Sequence, residues 1–184
     1  MNVLLLRLSG PLQSWGVQSH FAMRDTGREP SKSAVVGLLC AALGRPRSRS
    51  LEDLTALRMG VRVDQEGFVE RDFHTSQNVL RARGGTKDTE PSARYYLSDA
   101  RFLVGLAGED ARQLERLHAA LHAPRWPLFL GRKACVPGEP VWLRDGLYRN
   151  STLLEALQRY PWLGCDSRRR PDRLRVVLED DAEG

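Results

Sequence analysis

The spacing of apolar residues along the chain predicts an alternation of strands and helices. An unbroken apolar stretch at 2–8 predicts a first strand, and the run at 32–44, closed by Gly44, predicts a helix. At 109–124 apolar residues recur at helical spacing and predict an amphipathic helix whose buried face is Leu114, Leu117 and Leu121. The rest of the chain predicts shorter elements: two strands around a turn at 65–67 within 57–75, a strand at 94–108, short strands at PLFLG (127–131) and ACVP (134–137), a helix at 151–159 and a strand at 173–180.

The order of the main elements predicts the fold class. Strand, helix, strand, strand, helix, strand is the ferredoxin-like arrangement, which the RNA-recognition-motif fold shares. We therefore predict an α+β protein with an RNA-recognition-motif-like domain at 1–140 and a short C-terminal extension at 141–184 that ends in an acidic tail. A chain of 184 residues is long enough for one such domain with a substantial core.

Residues 76–94 lack the apolar pattern and form a predicted protruding arm. The segment is too long for a tight turn, and Gly84–Gly85 is its expected tip. A disordered surface loop is one interpretation, and a basic arm that becomes ordered on a partner is the other. Because it has almost no apolar residues, we expect the arm to be mobile in the free protein. Its candidate RNA contacts are Arg81, Arg83 and Lys87.

Composition narrows the class of protein. No apolar run approaches the roughly 18 residues of a membrane span, and the N-terminus lacks the features of a signal peptide, so we predict a cytoplasmic protein without a membrane partner. Cys40, Cys135 and Cys165 are too widely spaced for a zinc motif or a disulfide framework. We expect neither a metal nor a cofactor.

Charge favours a polyanionic partner. The net charge is +5, and because four acidic residues lie among the last six, the first 178 residues carry +9. Arginine strongly outnumbers lysine, a bias that suits bidentate phosphate contacts but that a GC-rich genome also explains. Basic residues concentrate in the loop RPRSRS (45–50) and in Arg168–Arg170. The sequence leaves open whether Arg168–Arg170 contact RNA, DNA or protein.

The start of the first helix is a candidate anion site. Ser31, Lys32 and Ser33 precede an apolar run, but the glycines of a P-loop are missing, so a nucleotide loop is not indicated. One interpretation is an ordinary serine-capped helix with Lys32 in solvent. The other is a phosphate near Lys32 and Ser33, because a lysine in the first turn opposes the helix dipole and an anion would offset it.

Three further segments supply candidate RNA contacts. The turn GPLQSWG (10–16) is expected to expose Gln13, which can bond a base edge, and Trp15, which can stack on one, although Trp15 as a lid on the core is an equal alternative. In the loop before the helix, the expected phosphate contacts are Arg24 and Arg28. In the turn GRKACVP (131–137) a glycine permits close approach to a ligand, and the cations are Arg132 and Lys133.

His74 is the candidate for RNA chemistry. At a strand end it suits a general base, a base-contacting donor or a structural role. RNA cleavage also needs a cation on the phosphate and an acid for the leaving oxygen, and the sequence does not supply a complete set, so no catalytic residue is assigned. His118 and His122 have a metal-like spacing of four, but no third ligand is evident and a helix surface is the commoner explanation.

Five sequence motifs follow one another along the chain: LRLSGPLQSWG (6–16), PSKSAVVGLLCAALG (30–44), RDFHT (71–75), RYYLSDARFLVGL (94–106) and PLFLGRKACVP (127–137). Together they resemble the Cas-five-type family of CRISPR-associated proteins in the RAMP superfamily, the CasD subunits of type I-E Cascade surveillance complexes. The resemblance covers residues 2 to about 140.

The resemblance implies a non-catalytic protein of antiviral defence that holds the repeat-derived 5′ handle of the CRISPR RNA and docks the backbone and large subunits of Cascade. It implies that 76–94 is a thumb that packs against the backbone subunit and crosses the guide, and that the helix start at Ser31–Ser33 faces handle phosphates. Target DNA is a further candidate partner in the assembled complex. Some relatives in other subtypes cleave precursor RNA, so a metal-independent endoribonuclease is the competing function.

Overall fold

A computed structural model describes residues 1–17, 23–166, 168 and 170–179. The helices and strands of this part of the chain are, in order, β1 (Asn2–Ser9), β2 (Leu12–Gln13), β3 (Met23–Arg24), α1 (Lys32–Leu43), α2 (Glu52–Thr55), β4 (Arg58–Gln65), β5 (Phe68–Leu80), β6 (Thr86–Ser98), β7 (Arg101–Gly108), α3 (Ala111–His122), β8 (Trp142–Tyr148), α4 (Leu153–Arg159) and β9 (Arg175–Leu178). The predicted α+β class is confirmed.

The centre of the protein is a five-stranded antiparallel sheet with the order β8–β1–β7–β4–β9. Leu4, Leu6 and Leu8 of β1 pack with apolar residues of α1 and α3, whereas Val3 and Leu5 pack with α4. Helices thus cover both faces of the sheet, which explains why β1 is an unbroken apolar run instead of an alternating one.

The two long helices form as the sequence predicts. Gly44, with φ +65°, ends α1 in the left-handed conformation that favours glycine. Asp110 caps α3 by accepting hydrogen bonds from the backbone N–H groups of Arg112 and Gln113. The predicted buried face of α3 is confirmed for Leu114, Leu117 and Leu121. None of the helices in the described part of the chain is long and apolar enough to cross a membrane.

The second sheet is built around a long β-hairpin. β5 and β6, of 13 residues each, pair from Phe68 with Ser98 to Leu80 with Thr86. Across the turn, the Arg81 N–H donates to the Gly85 carbonyl, and both Gly84 and Gly85 have positive φ. β2 and β3 pair with the other edge of β6.

The hairpin corrects two predictions. Residues 76–94, expected to lack regular structure, are the outer part of β5, the turn and β6 as far as Arg94, because cross-strand backbone pairing supplies the regular structure that an apolar core does not. Their mobility in the free protein stays a prediction. The single strand predicted at 94–108 is the end of β6 and all of β7, divided at Asp99, which has φ +57°.

In the C-terminal part the predicted helix at 151–159 and strand at 173–180 form as α4 and β9, but the predicted boundary and two short strands do not. No boundary falls at 140, because β8 pairs with β1, α4 packs on the central sheet and β9 pairs with β4. The short strands predicted at 127–131 and 134–137 are turns and irregular chain. Arg62 of β4 and Asp64, both buried, link this part to the sheet: the Arg62 guanidinium bonds the Asp64 carboxylate and the carbonyl oxygens of Leu157, Tyr160 and Pro161.

Candidate nucleic-acid interface

The base of the hairpin brings charged side chains into one row. Arg24 of β3 lies opposite Arg94 of β6, which lies opposite Asp72 of β5. Residues that pair across strands project from the same face, so the three side chains are neighbours on one surface. Nε of Arg94 is buried and finds no hydrogen-bond partner among the described residues. A buried donor without an acceptor is costly, so this row is a place where an anion would be stabilised.

His74 lies on the same face of β5, two residues beyond Asp72. Its Nε2 is 2.5 Å from a carboxylate oxygen of Asp72, although the two are not aligned as a hydrogen bond. When protonated, the imidazole forms an ion pair with this carboxylate. The sequence placed His74 at a strand end; it is in the middle of β5, with its side chain 38% exposed.

The tip of the arm carries two cations that have no partner in the described part of the chain. Arg81 and Arg83 are exposed at the turn, and neither side chain makes a hydrogen bond or ion pair there. Lys87, in contrast, forms an ion pair with Glu90. The structure therefore leaves Arg81 and Arg83 exposed and engages Lys87 internally.

Two surface residues were missed by sequence reasoning. Arg94 was assigned only to the arm as a whole, and Phe73, which is 66% exposed, was not considered. Phe73 projects from the face opposite to Asp72, because neighbouring strand residues alternate, and it pairs with the small Ala93, which leaves the ring uncovered. The sequence signal for the hairpin is confined to its turn at Gly84–Gly85, because the strands beside it carry polar residues on both faces.

Gln13 and Trp15 are buried, which corrects the prediction that they lie at the surface. The amide nitrogen of Gln13 donates to the carbonyl oxygens of Ala100, at 2.6 Å, and Leu8, at 3.4 Å. Nε1 of Trp15 donates to the amide oxygen of Gln13 at 3.1 Å. Trp15 is therefore part of the core, as its alternative interpretation held, and both polar groups are already satisfied.

The turn at 131–137 contacts the protein's own backbone. Gly131 has φ +91°, and a Cβ there would lie 1.7 Å from the Ser14 carbonyl oxygen, so the close approach permitted by this glycine is to Ser14. The terminal nitrogens of Arg132 donate to the carbonyl oxygens of Tyr95, Arg24 and Asp25 at 2.8–3.1 Å.

The guanidinium of Arg132 also lies 4.8 Å from the centre of the Tyr96 ring. Arg132 thus links β3 to β6 with its terminal nitrogens engaged by the protein, and its contact with the RNA backbone stays a prediction. Lys133 is exposed next to it, and RNA contact by Lys133 stays a prediction.

The helix start at Ser31–Ser33 already has an anion. Nζ of Lys32 lies 2.6 and 2.8 Å from the two carboxylate oxygens of Glu179, which also accepts the Met59 N–H at 3.0 Å. Burial acts to raise the pKa of Glu179, but these hydrogen bonds outweigh it and hold that pKa below its usual value. The anion expected beside Lys32 is supplied by the chain itself, which corrects the interpretation of this helix start as an open phosphate site.

Other candidate residues divide into exposed ones and those with protein partners. Arg24, Arg28 and Ser33 are exposed, and their contact with RNA stays a prediction. Nε2 of His118 donates to the Leu143 carbonyl oxygen at 2.8 Å, and the rings of His118 and His122 lie 5.4 and 4.3 Å from that of Trp142.

No three potential metal ligands cluster among the residues that the structure describes. In the C-terminal cluster Arg168 forms an ion pair with Asp166 at 3.1 Å. Arg169 lies outside the described residues.

A family profile and a related protein of known name both indicate the same family for this chain. A family profile described as "CRISPR-associated protein (Cas_Cas5)" matches residues 3–184. The CRISPR system Cascade subunit CasD of Escherichia coli (strain K12) is 34% identical over 180 residues, which cover 90% of this chain and 80% of that protein.

Two solved structures are also similar. One, described as a Cas protein, has a TM-score of 0.77 and 49% identity and covers 97% of this chain and 80% of its own. A chain of a CRISPR RNA-guided surveillance complex has a TM-score of 0.70 and 39% identity over 76% of this chain and 61% of that one. The chain belongs to the Cas5 family of CRISPR-associated proteins.

Proposed function

We propose that this protein is the non-catalytic, CRISPR-RNA-binding subunit of a type I-E Cascade complex, where it holds the 5′ handle of the guide. The similarity to CasD of Cascade and to a chain of an RNA-guided surveillance complex supports this role. In this proposal β1, α1, β4, β7, α3 and β8 are the ferredoxin-like domain. Their sheet order β8–β1–β7–β4 supports that assignment.

The single observation that carries the RNA site is the row of Arg24 and Arg94 at the base of the hairpin. Two arginines lie side by side with only one carboxylate, Asp72, in the row, and Nε of Arg94 has no acceptor in the described part of the chain. A phosphate of the handle would supply that acceptor and offset the repulsion between the two cations.

The hairpin extends this surface outward. Arg81 and Arg83 at the tip suit the phosphates of the guide, and the uncovered ring of Phe73, on the opposite face of the hairpin from Arg94, suits either a base or an apolar side chain of the backbone subunit. The large subunit and target DNA complete the proposed partners. The arm is thereby proposed to be the thumb of the complex.

Binding of labelled repeat-derived RNA over a range of salt concentrations tests the site. Arg94→Ala should weaken binding and reduce the salt dependence of log K by about 0.7, the value for one lost contact to a single strand. Arg144→Ala removes the same charge from an exposed position of β8 and serves as the control. A salt dependence that is the same for both variants would show that Arg94 does not contact the handle.

A second candidate function is metal-independent cleavage of repeat RNA. The observation in its favour is the pairing of His74 with Asp72 on the face that carries Arg94, since cleavage needs a base and a cation on the phosphate. Incubation of the protein with repeat RNA in the presence of EDTA separates the two functions. A defined product that disappears in His74→Ala would establish the enzyme, and intact RNA would support the non-catalytic role.

A further inference from the structure

A second group of arginines lies far from the hairpin. We call it the distal arginine cluster: three members belong to the basic loop between α1 and α2 and two to the first turns of α3, namely Arg45, Arg47, Arg49, Arg112 and Arg116. No role proposed above uses them.

The position of the cluster follows from the topology of the central sheet. The hairpin leaves the sheet after Gln65, the last residue of β4, and returns at Arg101, the first of β7. α2 precedes the first residue of β4, and α3 follows the last residue of β7, so the cluster lies at the opposite end of the same strands. Eight residues of extended strand span about 26 Å. The RNA site proposed at the hairpin and this cluster are therefore separate surfaces.

Asp53 of α2 holds the loop and α3 together. Its carboxylate oxygens accept hydrogen bonds from Arg45 at 2.5 and 2.6 Å, and Arg116 lies 3.8 Å away. Its backbone carbonyl accepts from the amide of Gln113 at 2.6 Å. Two shallow depressions result: one of about 330 Å³ at Arg112 and Arg116, and one of about 410 Å³ at Arg45 and Arg49.

Three acidic side chains of this region, those of Asp53, Asp110 and Glu115, are already engaged, whereas several arginines are not. Asp53 bonds Arg45, and Asp110 accepts the backbone N–H groups that begin α3. Glu115 forms an ion pair with Arg149. Three arginines of the distal cluster have exposed side chains that make no hydrogen bond or ion pair with any described residue, namely Arg47, Arg49 and Arg112.

We propose that the distal arginine cluster binds the sugar–phosphate backbone of duplex DNA. Guanidinium groups suit phosphate oxygens because they donate in a fixed, planar fork. Proteins that hold single strands add aromatic rings on which bases stack, and neither 45–50 nor 110–116 contains an aromatic residue. The exposed Trp126, whose backbone N–H donates to the Ala41 carbonyl of α1, is a single ring at the edge of the cluster and not a series of stacking platforms. A duplex keeps its bases stacked and presents phosphates, which is the chemistry that this surface offers.

Fluorescence anisotropy with the full chain and a labelled duplex of arbitrary sequence tests this surface. Arg47→Ala combined with Arg49→Ala should reduce the salt dependence of log K by about 1.8, which corresponds to about sixtyfold weaker binding near 0.1 M salt. The side chains of Arg47 and Arg49 have no partner among the residues that the structure describes, so the variant should fold normally. Arg144→Ala combined with Arg159→Ala removes the same charge from other exposed positions and should leave the salt dependence unchanged.

Two outcomes would overturn the proposal. The first is a salt dependence of duplex binding that the loop variant does not alter. The second is that the loop variant loses binding to an unrelated single-stranded RNA as much as binding to the duplex. A similar loss of RNA binding in Trp126→Ala, whose ring is 44% exposed next to Arg125, would indicate base stacking. The handle-RNA measurement with Arg94→Ala is unaffected by either result, so the two proposals fail independently.

Discussion

Arg62→Met should destabilise the protein more than any change at a surface ion pair. The Arg62 side chain is 4% exposed and that of Asp64 is fully buried. The guanidinium bonds the carboxylate at 2.6 and 2.7 Å and also bonds carbonyl oxygens at and beyond the C-terminal end of α4. Methionine fills a similar volume but leaves a buried carboxylate without a counter-charge and those carbonyls without a donor.

The magnitude follows from the loss of one partner of a buried pair. Such a loss costs about 3–5 kcal/mol of unfolding free energy, against a total of about 5–15 kcal/mol for a typical domain. At about 2–4 °C per kcal/mol for a chain of this size, Tm should fall by about 6–20 °C. Urea denaturation followed by circular dichroism measures the free energy directly.

Arg175→Met is the matched control. Arg175 is 40% exposed and pairs with Glu29 at 3.0 Å and Glu66 at 3.1 Å, and each such surface pair contributes about 0–1 kcal/mol. The double variant Arg62→Met with Asp64→Leu should recover part of the loss, because replacing both partners removes the uncompensated charge. If Arg62→Met loses no more stability than Arg175→Met, the buried pair does not anchor the C-terminal part as argued.

Two further predictions concern the loop at 131–139. Gly131→Ala should lower the free energy of unfolding by more than the roughly 1–2 kcal/mol of a left-handed conformation, because its Cβ also meets the Ser14 carbonyl. The control is Gly84→Ala, which has φ +88° and open space around it and should lose only the conformational part. Equal losses of unfolding free energy in urea denaturation would contradict this. Burial acts to raise the pKa of Glu139, but Arg101 and Arg7 outweigh it and hold that pKa below its usual value. The folded state therefore binds its proton at lower pH than the unfolded state, so this contribution to stability is present above about pH 5 and is lost as pH falls through the lowered pKa. Glu139→Gln should lose less stability on acidification than the parent protein, and parallel curves of unfolding free energy against pH would refute the assignment.

Local signals in the sequence were sufficient for the main elements of the central sheet. The apolar run of β1, the left-handed end of α1 at Gly44 and the leucine spacing of α3 each arise from residues within one element. The arm was harder to predict, because residues 76–94 become ordered by pairing across the hairpin and not by burial of apolar side chains. Only Gly84–Gly85 marked the turn, and the strands beside it carry polar residues on both faces.

The candidate site could be predicted by residue type but not by partner. Lys32 and Arg132 have the chemistry of phosphate contacts, yet Lys32 pairs with Glu179, 147 positions away, and Arg132 bonds the Arg24 carbonyl, 108 positions away. Such distant acceptors compete with a ligand for the same donors, and a single sequence does not reveal them. Arg94 shows the converse, because the lack of an acceptor for its Nε among the described residues is visible only once β3, β5 and β6 are aligned.

The pairing of β5 has a consequence for the isolated subunit. Within the described residues β5 pairs with β6 alone, so one edge of a 13-residue strand presents backbone N–H and C=O groups to solvent beside the exposed Phe68 and Phe73. Such an edge is a template for strand addition by another chain and promotes edge-to-edge aggregation. The charged residues Glu70, Arg71 and Asp72 interrupt its apolar positions and oppose that pairing. Such a subunit should aggregate least when it is synthesised together with the chains that cover its edge. When it is purified alone, its aggregation should increase with protein concentration.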